Sequence, residues 1–367
     1  MKKVLLASTA LIAAGVIAAP AMAAEKKAGP IALKVGGYYH GFAVNTNQDA
    51  SAGAALHSTM FTQEAEISFS GSTTLDNGVT VGVNVQLEAE TCTDQIDEHY
   101  VWFKGSFGEV VFGAENGAGN KSFRGSSVPG LGWTSTWTSN FRHYGTVSNG
   151  AAQPFRADIS GDSDKLTYWT PKMSGFQAGV SYTFDSGETG SSYGGLEADN
   201  TANQQSNILE VGATYSGNTG KDGVAYNVSA AYIKGDLEAA GTSTDDQKVW
   251  AIGADVSMGG WKVAAGYGND NQATSAASTD LTDWNVGVTY GSGAMSYGVS
   301  YSHFEAEAGA GAGQDERDHW LASASYAFGP GISFSAGIEN VKLEDNLNAA
   351  ANENDATSIM LGTSLFF

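Results

Sequence analysis

Apolar and polar residues alternate along most of this chain. Between Val79 and Glu90 the alternation is unbroken: Val79, Val81, Val83, Val85, Leu87 and Ala89 fall on one face, and Thr80, Gly82, Asn84, Gln86, Glu88 and Glu90 on the other. A period of two is what a strand with one apolar and one wet face produces. Related patterns run over Ile31–Val44, Met60–Thr74, His99–Gly105, Glu109–Ala114, Lys165–Thr170, Phe176–Phe184, Ile208–Tyr215 and Val224–Ile233. They continue over Lys248–Ser257, Trp261–Tyr267, Leu281–Tyr290, Met295–Phe304, His319–Phe328, Ile332–Val341 and Thr357–Phe367, which brings the expected number of strands to about sixteen.

The connectors separate a membrane barrel from a soluble sheet. Short turns (LDNGV, PKMSG, MGG, GSG, GPG) alternate with long polar links such as 45–59, 186–207 and 234–247. In the first of these turns Asn77 and Gly78 are expected to supply the positive φ angles of a two-residue hairpin. An even number of strands, with short turns at one edge and long loops at the other, predicts an all-β, antiparallel up-and-down barrel that crosses a membrane. Its bore would be too wide for side chains to fill and would hold water. A β-propeller would show a repeated blade motif, and the sequence has none. Tyr182, Phe184, Tyr215, Tyr232, Trp250, Tyr267, Tyr290, Tyr301, Phe304, Tyr326 and Phe328 lie near strand ends, where rings meet the headgroups.

One stretch breaks the rhythm. Residues 115–164 carry almost no strand pattern, and an insert of that length in a compact domain is either functional or disordered. Its aromatics (Trp133, Trp137, Phe141, Tyr144) and cations (Lys121, Arg124, Arg142, Arg156) argue for function, so it is expected to fold into the bore and narrow it.

Composition fixes the compartment. Lys2 and Lys3, the apolar run Val4–Ala19 and the triplet Ala21, Met22, Ala23 read as a secretory signal over residues 1–23, leaving 24–367 as the barrel. Beyond it no run approaches eighteen apolar residues, which excludes a helical membrane protein. Without Lys2 and Lys3, 16 basic residues face 39 acidic ones, a mature charge near −23, and this excludes nucleic acid as a partner. Cys92 is the single cysteine, so no intrachain disulfide forms. His40, His57, His99, His143, His303 and His319 show no paired HxxxH spacing, and no enzyme is expected.

The segments GGYYHGFAV, NGVTVGVNVQLEAE, HYVWFKGSFGEVVFGAENG, KLTYWTPKMSGFQAGVSYTFD and ATSIMLGTSLFF resemble general porins of Gram-negative bacteria, above all those of alphaproteobacteria. The resemblance covers both ends and the first half of the chain; residues 186–280 match by pattern only. It implies a sixteen-stranded barrel in the outer membrane, in contact with outer-membrane lipid and lipopolysaccharide. It also implies a homotrimer, a third external loop folded inward, and a terminal Phe367 recognised by the barrel-assembly machinery. The function implied is passive diffusion of small hydrophilic solutes and ions, without a cofactor. The alternatives are a sugar-type, substrate-specific porin and a structural or adhesin barrel without a channel. Two features depart from the family: the PEFGG-like segment of the third loop is absent, and the acidic pair Asp97 and Glu98 stands where an arginine is expected.

Alternation assigns Glu64, Glu66, Glu88 and Glu90 to the bore, opposite Lys121, Arg124, Arg142 and Arg156 on the insert, with Asp158, Asp162 and Asp164 at its exit. An acidic wall facing a basic loop would set up a transverse field, and the net charge predicts a mild preference for cations. Trp133, Trp137, Phe141 and Tyr144 recur at roughly helical spacing; they either pack on the wall or form a stacking track for sugar rings. The SGDSD run offers carboxylate oxygens to calcium but lacks the spacing of a full calcium loop.

Overall fold

Alternating side chains give each strand two unlike faces, and a sheet of such strands hides its edges by closing on itself. The computed structural model describes residues 29–49, 57–89, 95–131, 157–187, 201, 204–220, 223–238, 246–271, 280–307, 314–344 and 353–367. The signal segment 1–23 and Cys92 lie outside them. Sixteen strands form a closed antiparallel barrel in which each strand pairs with its neighbours in sequence. They are β1 (Ala32–Gln48), β2 (Thr59–Thr74), β3 (Thr80–Glu88), β4 (His99–Gly105), β5 (Gly108–Ala114), β6 (Asp164–Trp169), β7 (Phe176–Asp185) and β8 (Gln205–Asn218). The second half comprises β9 (Ala225–Leu237), β10 (Gln247–Met258), β11 (Trp261–Asp270), β12 (Leu281–Ser292), β13 (Met295–Glu307), β14 (Gln314–Gly329), β15 (Ile332–Glu344) and β16 (Asn354–Phe366). The ring closes where β1 meets β16 in a register from Tyr38↔Phe366 to Gln48↔Ala356. The carbonyl of Phe367 accepts from the Gly37 amide (3.0 Å) and its own amide donates to the Gly37 carbonyl (3.1 Å).

The outer face carries the exposed apolar residues, for example Phe61, Ile252 and Val263. Two aromatic rows edge this band. Toward the long loops, Trp250–Tyr267, Trp284–Tyr301 and Tyr301–Trp320 stack across strands at 5.2, 5.1 and 4.4 Å. Toward the short turns, Tyr215–Tyr226 and Trp261–Tyr290 do so at 5.9 and 4.6 Å. These are the two girdles of an outer-membrane barrel.

Two details differ from the sequence reading. The strands run further toward the long loops than their apolar pattern: β14 begins at Gln314 rather than His319, and β8 at Gln205 rather than Ile208. Backbone pairing continues past the girdle, where the outward positions turn polar (Glu305, Glu316, Asp318), and the hydrophobic signal stops there. The first hairpin turn is not a two-residue one. Only Gly78 has positive φ (84°), while Gly78 N donates to Leu75 O (2.9 Å) and Leu75 N to Val79 O (2.8 Å), the pattern of a three-residue loop with glycine in the left-handed position. Among the described residues the insert contains one helix, α1 (Ala118–Ser122), of five residues; the aromatic run Trp133–Tyr144 lies outside them.

Candidate functional site

The inward face of β8–β15 is unusually rich in glycine at one level, and the first limb of the insert lies on those glycines. A methyl group at Gly212 would overlap Ala118 O, at Gly253 Arg124 O, at Gly298 Pro129 Cδ and at Gly337 Leu131 Cδ1. Residues 118–131 therefore run along the inside wall from β8 to β15, close enough to the sheet that no side chain fits beneath. Phe123 packs among inward Ile233, Val249 and Ala251, whereas Val128 and Leu131 pack with Phe42, Val44, Leu321 and Met360.

Buried polar groups tie the limb down. The Ala118 amide donates to Ser181 Oγ (2.8 Å), the Ser126 amide to Asn285 Oδ1 (2.7 Å), and Ser323 Oγ donates to Pro129 O (2.7 Å). Asn285 in turn donates to Asp283 Oδ1 (3.2 Å), which lies 3.6 Å from Arg317 on β14. Glu210, fully buried on β8, accepts from the Gly119 amide (2.9 Å) on the incoming limb and from Ser160 Oγ (2.5 Å) on the outgoing one. Lys165 Nζ donates to Gly161 O and Ser163 O (both 2.7 Å) and to Glu115 O, closing the base of the insert.

Of the carboxylates assigned to the acidic wall, Glu64 and Glu66 lie on β2 and Glu88 on β3. Glu66 and Glu88 are cross-strand partners, and Tyr38 Oη on β1 donates to Glu64 (3.0 Å) and Glu66 (2.5 Å). The oxygens of Glu64, Glu66 and Glu88 lie within 4.8 Å of one another, close enough to share a hard cation. Lys121 and Arg124 sit over β8–β10, half-way round the ring. Lys121 pairs with buried Glu115, while Arg124 donates to Lys121 O and Phe123 O (both 2.8 Å).

The exit carboxylates do not act as one group. Asp158 accepts from Asn120 Nδ2 (3.1 Å) and the Gly161 amide (3.0 Å), bracing the two limbs. Asp162 lies with Asp97 and Glu98, their oxygens within 4.8 Å. Asp164 alternates with inward Lys165, so it falls on the outer face, 4.0 Å from His99, and is not part of the bore. Of the two carboxylates of the SGDSD run, Asp162 thus joins Asp97 and Glu98 while Asp164 does not. Burial, and then the nearby charge of Asp162, push the Glu98 carboxyl up to about 7, against a hydrogen bond from Asn116 (2.9 Å) that lowers it. Glu90, Trp133, Trp137, Phe141, Arg142, Tyr144 and Arg156 lie outside the described residues. So does Ser192, whose GSSYG setting has the GxSxG spacing of a nucleophile elbow but falls in a polar link.

Sequence reasoning missed Tyr38, Glu115, Glu210, Asp283 and Arg317. A lone carboxylate at an inward position, as with Glu210 between Ile208 and Gly212, was a readable sign. Arg317 was hidden because the pattern started its strand at His319, five residues too late.

A family model for Gram-negative porins matches residues 7–362. Among solved structures, a porin refined at 1.8 Å is 19% identical, covers 92% of this chain and 100% of its own, and superposes with a TM-score of 0.59. OmpF of Salmonella typhi, in complex with daunomycin, is 17% identical over 91% of this chain and 97% of its own, with a TM-score of 0.62. OmpT of Vibrio cholerae is 13% identical over 91% and 98%, with a TM-score of 0.59. No curated protein sequence matches the chain.

Proposed function

The chain belongs to the Gram-negative porin family, and on that footing we propose that it is a passive diffusion channel for small hydrophilic solutes and ions, with a mild preference for cations. Family and fold support an outer-membrane channel, and porins are not enzymes. The observation that carries the finer reading is the limb 118–131 laid across the inward glycines of the barrel. It turns a wide bore into a constriction bounded by Glu64, Glu66 and Glu88 on one side and by Lys121 and Arg124 on the other. Carboxylates outnumber cations in that ring, and Lys121 is paired with Glu115, which favours cations.

A homotrimer fits the uneven height of the wall. β4, β5 and β6 have 7, 7 and 6 residues, where a strand crossing the bilayer alone takes about 9–11. Exposed Phe103 and Phe112 on these short strands suit contact with a second copy rather than a full thickness of lipid. Export through residues 1–23, insertion guided by Phe367, and lipopolysaccharide around the loop-side girdle belong to the same reading.

Planar bilayers test it. Stepwise ohmic conductance with a reversal potential of cation-selective sign is expected in a KCl gradient. A chain that inserts without conducting is a structural barrel, and firm anion selectivity contradicts the charge assignment.

A further inference from the structure

Three inward carboxylates share one small space on the wall. Glu66 of β2 faces Glu88 of β3 across the strands, Glu64 stands at the adjacent inward position of β2, and their oxygens lie within 4.8 Å of one another. Like charges opposite one another on neighbouring strands repel, which drives such side chains apart along the wall. On the other flank of β2, the register sets Tyr38 of β1 opposite Glu66 and His40 opposite Glu64. The Tyr38 hydroxyl donates to Glu64 Oε1 (3.0 Å) and to Glu66 Oε1 (2.5 Å), so its single proton is divided between two carboxylates. A donor set between them offsets part of their repulsion and draws both oxygens to one point.

The ring that carries this hydroxyl is held from the opposite side. Tyr38 lies 5.0 Å from His40 and 6.3 Å from Phe366, centroid to centroid, and His40 meets Phe366 edge-on at 5.4 Å. His40 Nδ1 is itself 2.7 Å from Ser364 Oγ, so the last strand braces both rings. The place is next to the constriction. Phe42 and Val44, the following inward residues of β1 toward the long loops, pack with Val128 and Leu131 of the limb. His40 and Tyr38 come directly beneath them on the way to the short turns. An ion that clears the limb on this side of the bore passes the hydroxyl and its two carboxylates.

We propose that Tyr38 is a specificity-determining residue of the channel: by gathering Glu64 and Glu66 into one patch of negative charge, it sets how strongly cations are preferred over chloride. Tyr38 acts through the two carboxylates and is therefore a positioning residue. The inference rests on the channel reading above and deepens it: the excess of carboxylates fixes the sign of the selectivity, and their convergence fixes its strength. Potentials add where charges converge on a narrow, low-dielectric passage. The same charges spread along the wall would each be screened over about 8 Å at physiological salt.

Reversal potentials of the full mature chain in a KCl gradient, converted to a potassium-to-chloride permeability ratio, test the role. Tyr38→Phe keeps the ring contacts and every carboxylate but removes the shared proton, and it should lower the ratio about twofold or more. Glu64→Asp keeps the charge while withdrawing the carboxylate from the hydroxyl, and it should shift the ratio in the same direction. In the Glu64→Gln, Glu66→Gln double variant, adding Tyr38→Phe should change nothing further, because the charges it acts through are gone. Heat-modifiable electrophoretic mobility identifies variants that have folded. A parent ratio in folded Tyr38→Phe channels, or in Glu64→Asp channels where the first variant does not fold, overturns the role of Tyr38. So does an equal loss from Tyr38→Phe with and without the two glutamines. Either result leaves the channel reading standing, whereas a parent chain that does not conduct overturns both.

Discussion

The carboxylate of Glu210 joins the two limbs of the insert, accepting from Ser160 Oγ at 2.5 Å on the outgoing limb while it holds the Gly119 amide of the incoming one at 2.9 Å. Together with Lys165 of β6, which bonds Glu115 O and Gly161 O, this residue of the wall pins the insert at its base. Glu210→Ala should leave both donors without this acceptor at a cost of about 1–3 kcal/mol each. The expected result is a lower unfolding temperature in detergent together with larger, noisier single-channel currents. Ser160→Ala, which releases one limb only, should show the smaller effect in both measurements.

The glycines under the limb should behave as spacers. Gly253→Val drives a side chain into the carbonyl of Arg124, and overpacking of this kind costs about 1–3 kcal/mol. Gly291→Val meets nothing within 4 Å. Conductance should change in the first variant and stay at the parent value in the second; equal conductance in all three proteins would remove the limb from the bore.

Selectivity should follow the titration of Glu98. Its carboxyl is raised to about 7 chiefly by burial and by the charge of Asp162, so it is ionised at pH 8 and mostly neutral at pH 6. Cation preference is expected to fall over that interval, and Glu98→Gln should flatten the profile. The stability effect has the opposite sense. A carboxyl whose folded pKa lies above its ordinary 4.5 binds more protons folded than unfolded between those values, so stability contributed by protonation is present below the ordinary pKa and lost as pH rises through about 7. The unfolding temperature of the parent should therefore decline from pH 5 to pH 8 relative to Glu98→Gln.

How much of this was legible beforehand follows from what each residue touches. All sixteen strands could be read because every second residue meets a different medium, and the turns because chain reversal needs residues such as Gly78. Strand ends toward the long loops could not, since Glu305, Glu316 and Glu344 pair across β13–β15 without any hydrophobic pattern. Alternation placed Glu64, Glu66 and Glu88 on the right face, and it would have excluded Asp164 had the strand been started at that residue. The partners of Glu210 lie fifty and ninety-one positions away, and no local pattern encodes them. Glycine on the inward face carries no polar or apolar signal of its own, although its role is to admit the limb.

The short wall makes a prediction of its own. On the homotrimer reading, Phe112→Arg on β5 should convert the trimer to monomers in mild detergent. Ile252→Arg, on the long outer strand β10, should leave the oligomer intact while costing about 2–4 kcal/mol of stability in lipid. Analytical ultracentrifugation of both variants distinguishes an interface from a lipid-facing surface.

Thiol modification from the water phase reaches the core of the account most directly. With Cys92 replaced by serine, Lys121→Cys puts the only thiol on α1, over the inward face of β8–β9. A charged methanethiosulfonate added to open channels should then lower the current in discrete steps. Labelling confirmed by mass spectrometry with no change in current would contradict a conducting path bounded by this segment.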